Sequence, residues 1–157
     1  EKRISYEGVF DMKETYAAIK SFLEDSRQYD LGEKDYSEKN AGSDREILCK
    51  LAGEQEYSDY FKTVIKYSLE MQGKDVEVDV NGKKKTMTKG IAVMTVNSYI
   101  EADFLGKRSS GPIASFVTQV YDKYFGKDEL SKVIGSVAGD VGQMFVIFKQ
   151  QINSKLK

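Results

Sequence analysis

The chain contains no histidine, so its chemistry has to come from carboxylates, lysines, tyrosines and a single cysteine. Imidazole is the usual general base near neutral pH, the commonest metal ligand and the base of Ser-His and Cys-His nucleophile pairs. Carboxylates act as acid and base only where burial or a neighbouring like charge shifts their pKa. We therefore exclude hydrolytic triads and assign no catalytic residue, no metal ligand and no cofactor.

Two charged clusters have the composition of an ion site. Asp75, Glu77 and Asp79 alternate along one strand face, where successive carboxylates lie about 6 Å apart or more, which favours a solvated face over a hard-metal site. Four lysines gather at a hairpin tip with no aromatic platform among them, which favours a solvated turn over a phosphate site. These are Lys83, Lys84, Lys85 and Lys89.

Composition narrows the partners and the compartment. Because 24 basic residues balance 25 acidic ones, we expect no nucleic-acid partner. Cys49 is the only cysteine, which excludes an internal disulfide and favours a reducing, cytoplasmic location. No apolar run comes near the ~20 residues needed to cross a bilayer, so we expect no membrane span. The chain starts at Glu1, which leaves open a leader that has already been removed.

The length of 157 residues indicates one domain, residues 1–157, with room for a sizeable core. Residues 3–10 form a short predicted strand. Asp11, with Glu14 three positions later, predicts the start of a helix that continues to about Arg27. An apolar stripe at helical spacing indicates the face that this helix buries. It consists of Met12, Tyr16, Ile19, Phe22 and Leu23.

Between residues 29 and 103 the apolar period changes from helical to two, which indicates an antiparallel sheet. Residues 29–40 are polar and suit an edge strand, because their charges discourage pairing with other chains. Gly53 could mark a bulge in the next strand. The dipeptide Asn81-Gly82 predicts a two-residue hairpin turn. The inner sheet face is predicted to hold alternate residues of two strands, namely Phe61, Thr63, Ile65, Tyr67, Leu69, Met71, Ala92, Met94, Val96, Ser98, Ile100 and Ala102.

Helical spacing returns after residue 112. Residues 113–125 predict one amphipathic helix, with Pro112 in its first turn and Gly126 as its C-cap. A second helix begins near Asp128, and its apolar stripe holds Leu130, Ile134, Val137, Val141, Phe145, Phe148 and Ile152.

Three glycines interrupt the second helix. Gly135, Gly139 and Gly142 fall within about 60° of one another and about 130° from the apolar stripe. Each costs about 0.8–1 kcal/mol relative to alanine inside a helix. We expect a close approach of a neighbouring backbone here, from the 113–125 helix or from a second subunit. A local helix break and a gap beside a ligand entrance are the alternatives.

The stretch "VFDMKETYAAI", residues 9–19, looks like the strand-turn-helix opening of the START or helix-grip superfamily, in which an acidic residue precedes an aromatic on the first helix. The order of predicted elements resembles that superfamily as well, which includes polyketide cyclase-like and pollen-allergen-like proteins. The expected fold is therefore α+β, with a curved antiparallel sheet of about six or seven strands packed against an N-terminal helix and C-terminal helices.

The resemblance implies an apolar small molecule held between the sheet and the C-terminal helices. The implied lining is Thr63, Ile65, Tyr67, Met94, Ser98 and Phe116. The alternative is that these residues fill a close-packed core. Tyr67 and Ser98 carry hydroxyls, and a buried hydroxyl needs a hydrogen-bond partner that either a ligand or the backbone could supply.

Three function classes remain open. The first is a hydrophobic-ligand binding domain of helix-grip type. The second is an interaction or structural module with a filled core, which contacts a protein partner or a second copy through its glycines or surface tyrosines. The third is a cyclase-like or isomerase-like enzyme that acts through tyrosine and carboxylates.

Overall fold

The computed structural model describes residues 1–102 and 126–153, and shows two helices and one antiparallel sheet. In chain order the elements are β1 (Lys2–Phe10), α1 (Met12–Ser21), a π-helical turn (Phe22–Ser26), β2 (Asp30–Ala41), β3 (Asp44–Glu56), β4 (Phe61–Val80), β5 (Lys83–Ala102) and α2 (Gly126–Asn153). The strand order across the sheet is β1-β5-β4-β3-β2. The α+β class is confirmed, and this arrangement is compatible with a helix-grip fold.

Among residues 1–102 and 126–153 the sheet has five strands, so the expected six or seven are not confirmed. Glycine is depleted in strands, yet β4 and β5 pass through Gly73 and Gly90 without a break and pair over their full length. Gly73 and Gly90 face each other, and a Cβ on either would collide with the backbone of the other strand. Glycine therefore permits a close approach of the two strands here instead of ending them.

Most predictions that rest on short local patterns agree with the structure. Asp11 caps α1, since its carboxylate accepts a 2.9 Å hydrogen bond from the backbone N–H of Glu14. The β4–β5 hairpin turns at Asn81 and Gly82, both with positive φ, as the dipeptide predicted. The polar strand β2 lies at a sheet edge. Gly53 marks no bulge; the register shift lies in β2 between Glu33 and Asp35, and Gly53 instead makes room for the side chains of Leu31 and Tyr29.

One sheet face packs against the helices. The predicted inner residues of β4 and β5 are buried from Phe61 to Met71 and from Ala92 to Val96. Those from Ile65 to Met71 and from Ala92 to Val96 share one core with the buried face of α2, which consists of Val137, Val141, Met144, Phe148 and Ile152. The rings of Tyr6 and Phe148 lie 5.8 Å apart in this core. A smaller cluster holds Tyr60, Phe61 and Val133 at the N-terminal part of α2.

Helix α2 runs unbroken from Gly126 through all three glycines, which contradicts the alternative of a local helix break. It starts two residues before the predicted Asp128. The other predicted C-terminal helix, residues 113–125, lies outside the described residues. By length and composition alone, Lys127–Ile152 would also qualify as a membrane-spanning segment, a test that core helices pass too.

Candidate functional site

The side of α2 that points away from the sheet is exposed along its whole length. We call this the free face of α2. It consists of Asp128, Ser131, Gly135, Ala138, Gly139, Gly142, Val146 and Lys149, with Ile134 at its edge. Ile134 is 50% exposed and Val146 is 44% exposed, so large apolar side chains flank the small residues.

The glycines lie in open space. A Cβ added to Gly135, Gly139 or Gly142 would have no heavy atom within 4 Å beyond the adjoining turns of its own helix. The expected close approach of a neighbouring backbone is therefore absent among residues 1–102 and 126–153. Within that part of the chain, the free face of α2 is an uncovered helix surface of mainly small residues, bordered by the exposed polar side chains of Lys132, Gln143 and Gln150.

A polar network on another side of α2 fixes its orientation. Asp140 is 4% exposed, and its Oδ1 lies 2.6 Å from Nε of Arg27 while its Oδ2 accepts a 2.9 Å hydrogen bond from the Tyr29 hydroxyl. The Arg27 contact is a charge contact without hydrogen-bond geometry. Nη2 of Arg27 also donates to Oγ of Ser136 at 3.1 Å. These contacts tie α2 to the segment between the π-helical turn and β2.

Sequence reasoning missed this network because its members lie far apart in the chain. Asp140 carries a negative charge inside an apolar pattern, which was the available signal. The pair of Tyr29 and Asp140 does bring a tyrosine and a carboxylate together, as the enzyme alternative requires. Burial raises the pKa of Tyr29 to about 12, so this hydroxyl is a hydrogen-bond donor at neutral pH.

The predicted ligand residues lie where the alternation placed them. Thr63, Ile65, Tyr67 and Met94 are buried on the inner sheet face, and Ser98 is half-buried beside Ile65. Ile65, Tyr67 and Met94 belong to the same core as the buried face of α2. Phe116 lies outside the described residues.

Tyr67 has an unsatisfied hydroxyl. The residue is 3% exposed, and its hydroxyl has no hydrogen-bond partner among the described residues. Burial raises the pKa of Tyr67, so the hydroxyl stays protonated at neutral pH. This protonated donor lacks an acceptor among the described residues. By contrast, Oγ1 of Thr63 donates to the backbone carbonyl of Gln55 at 3.3 Å.

A cleft of about 370 Å³ opens beside the first turn of α1. Arg45 binds both carboxylate oxygens of Asp75, at 3.1 and 2.7 Å, and Lys85 lies 3.0 Å from Asp11 and 2.8 Å from Glu14. The sequence had suggested a solvated face for Asp75 and a solvated turn for Lys85. In the structure both residues instead form ion pairs. The pair of Arg45 and Asp75 is neutral, whereas Lys85 faces the two carboxylates of Asp11 and Glu14.

Two further features concern thiol reactivity and metal binding. Cys49 is fully buried, and burial raises its pKa to about 11, which disfavours the reactive thiolate. No group of three or more His, Cys, Asp or Glu residues within residues 1–102 and 126–153 could hold a metal ion.

Comparisons with known proteins add no family. No family model, no curated protein and no solved structure matches this chain. The candidate site therefore rests on the geometry of α2 and of the inner sheet face alone.

Proposed function

We propose that this domain is a protein-interaction module that binds an α-helix of another polypeptide chain through the free face of α2. One observation carries the proposal: Ile134 and Val146 flank a glycine-rich helix surface that no described residue covers.

The small residues explain why the partner would be a helix. Helix axes usually pack 8–10 Å apart, at a distance set by the contacting side chains. Glycine and alanine let a second backbone approach more closely, and they leave a shallow groove for its larger side chains. Alanine in place of each glycine would stabilise the isolated helix by about 0.8–1 kcal/mol, so the glycines fit a contact that needs their small size.

The filled inner face also favours this function over ligand binding. Ile65 and Met94 are fully buried against core residues that include the apolar face of α2. A domain with a filled core and one uncovered helix face suits docking of another chain.

Cysteine labelling tests this proposal. Ala138→Cys places a thiol on the free face of α2, and Lys84→Cys places a control thiol at the hairpin tip; native Cys49 is buried and stays in both variants. With a maleimide, we expect the thiol at position 138 of the assembled protein to be labelled at least about tenfold more slowly than the thiol at position 84. Labelling at position 138 should accelerate when the protein is diluted or the partner is removed. Equal rates at both sites would contradict the proposal. Slow labelling at position 138 that persists in the diluted monomer would also contradict the proposal, because the chain itself would then cover the free face of α2.

Binding of an apolar small molecule is the second candidate, and the Tyr67 hydroxyl favours it. A ligand oxygen at the inner face would supply the acceptor that this buried hydroxyl lacks. Native mass spectrometry with organic extraction is the test. We expect a reproducible added mass of a few hundred daltons that is lost in Tyr67→Phe, with Tyr6→Phe as a control. A clean apo mass for the unaltered protein would overturn this candidate.

A further inference from the structure

We infer that the helix bound by the free face of α2 is α2 of a second copy of this chain, packed antiparallel about a twofold axis. This inference rests on the proposed function and names its partner. It goes beyond the existence of an uncovered face, because the order of residues on that face specifies both the partner and its direction.

The residues on the free face of α2 form mirrored pairs about a point between Ala138 and Gly139. The pairs are Ala138 with Gly139, Gly135 with Gly142, Ser131 with Val146, and Asp128 with Lys149. In a twofold contact, residue i of one copy meets residue j of the other, and j meets i. An antiparallel pair of α2 helices centred on that point would bring these residues together.

Size is complementary in this arrangement. The centre of the contact would hold the three glycines and Ala138 of each copy, so the two backbones could approach more closely than in ordinary helix packing. Val146, the large exposed residue of the face, would lie against the small Ser131 of the other copy.

Charge is complementary as well. Asp128 and Lys149 are both exposed and lie 21 residues apart, which is about 32 Å along a helix. Antiparallel packing would place Asp128 of each copy beside Lys149 of the other, at both ends of the contact. Parallel packing would instead place Asp128 beside Asp128 and Lys149 beside Lys149, so the charges select the antiparallel direction.

The spacing fits two helices packed along their length. Positions 128, 131, 135, 138, 142, 146 and 149 follow one another at steps of three and four residues. Their mean spacing of about 3.5 residues is the period at which two helices keep one seam in contact by left-handed supercoiling. The contact would therefore run the length of the free face and not only across its centre.

Mixed disulfides test the direction of packing. We would prepare the full chain as Gly135→Cys and, separately, as Gly142→Cys, mix the two and oxidise. The added side chains enter open space, so both variants should fold. We expect the disulfide between positions 135 and 142 of different copies to exceed both self-disulfides at least about fivefold. Predominant self-disulfides between two 135 positions would overturn the antiparallel arrangement.

Charge reversal provides an independent measurement by native mass spectrometry. We expect the unaltered chain to show twice the monomer mass, Asp128→Lys to lower the dimer fraction, and the double variant Asp128→Lys with Lys149→Asp to recover it. Lys84→Glu, at the hairpin tip, is the matched control and should leave the dimer unchanged.

The remaining outcomes separate this inference from the proposed function. A monomeric chain whose position 138 becomes protected only on adding another protein would overturn the second copy as partner and retain the proposed function. A monomer with position 138 labelled as fast as position 84 would overturn both. A monomer in which position 138 stays protected on dilution would also overturn the inference and the proposed function. In that case another part of the same chain would cover the free face of α2.

Discussion

The hydroxyl of Tyr29 donates a 2.9 Å hydrogen bond to Oδ2 of Asp140, which joins the residue just before β2 to the middle of α2. Oδ1 of Asp140 also contacts Nε of Arg27, so one carboxylate binds both the Tyr29 hydroxyl and the Arg27 guanidinium group. Val137 and Val141, which flank Asp140 in α2, are buried in the core. The network and the core together hold α2 so that its free face points outward.

Loss of the Asp140 carboxylate should destabilise the domain. Asp140→Ala leaves the Tyr29 hydroxyl without its acceptor and Arg27 without its counter-charge, so we expect the free energy of unfolding to fall by about 2–3 kcal/mol. The effect should stay below that of a fully buried ion pair, because Arg27 is partly exposed. Urea unfolding followed by circular dichroism measures it. Ser136→Ala, which removes only one hydrogen bond of Arg27, should cost less than 1.5 kcal/mol. An Asp140→Ala variant as stable as the parent would contradict the structure.

Alkaline pH should weaken the fold through Tyr29. Burial raises its pKa from 10.0 to about 12, so between those values the folded state holds a proton that the unfolded state has released. The stabilisation is fully present below pH 10 and is lost as the pH rises through 12. We expect the free energy of unfolding, measured with urea, to fall by about 2 kcal/mol between pH 9 and pH 12 because of Tyr29. Tyr29→Phe should flatten this fall, whereas Tyr57→Phe, an exposed control, should not. An identical pH slope in both variants would refute the role of Tyr29.

Local patterns in the sequence were sufficient to predict much of the fold. The cap at Asp11, the turn at Asn81-Gly82 and the inner face of β4 and β5 depend on neighbouring residues only, and all three agree with the structure. The expected six or seven strands are not confirmed, because a glycine such as Gly73 or Gly90, considered alone, favours the end of a strand. Only the register shows that they face each other across one continuous hairpin.

The candidate site was predicted in part. The three glycines of α2 were recognised by their spacing, but sequence could not show that their surroundings are open, because that depends on which elements cover α2. The ion pairs of Arg45 with Asp75 and of Arg27 with Asp140 join residues distant in the chain. Such pairs follow from tertiary packing, which the periodicity of a single sequence does not encode.

The close approach of β4 and β5 should make Gly73 intolerant of any side chain. Gly73→Ala adds a Cβ that collides with the backbone around Lys89 and Gly90, and neither backbone can turn away as a side chain would. We expect a loss of at least about 2 kcal/mol in unfolding free energy by thermal or urea denaturation. Gly32→Ala in β2, where the nearest atoms are 3.8 Å away, is the control and should change stability by less than about 1 kcal/mol. Equal stability of the two variants would show that the strands do not approach so closely.

Cys49 should be inert in the folded protein. It is fully buried with a pKa of about 11, so both access and thiolate fraction are low at neutral pH. With excess maleimide at pH 7.5, we expect labelling at least about a hundredfold slower than in 6 M urea. Lys84→Cys supplies an exposed thiol in the same chain and should react fully under both conditions. Rapid native labelling at Cys49 would mean that β3 opens readily or that its surroundings are not as packed as described.

Gly139→Leu should separate folding from assembly. The new side chain enters open space on the free face of α2, and leucine has a higher helix propensity than glycine, so the isolated domain should be no less stable and could gain up to about 1 kcal/mol. The same side chain would hold apart two helices that need close contact at this position, so we expect dimers or partner complexes to decrease at least tenfold in affinity by analytical ultracentrifugation. Lys84→Leu, at the exposed hairpin tip and far from α2, is the control for added apolar surface. If Gly139→Leu left assembly unchanged, the glycines would not form the contact. If it lowered the stability of a monomer instead, another part of the same chain would have to lie against Gly139.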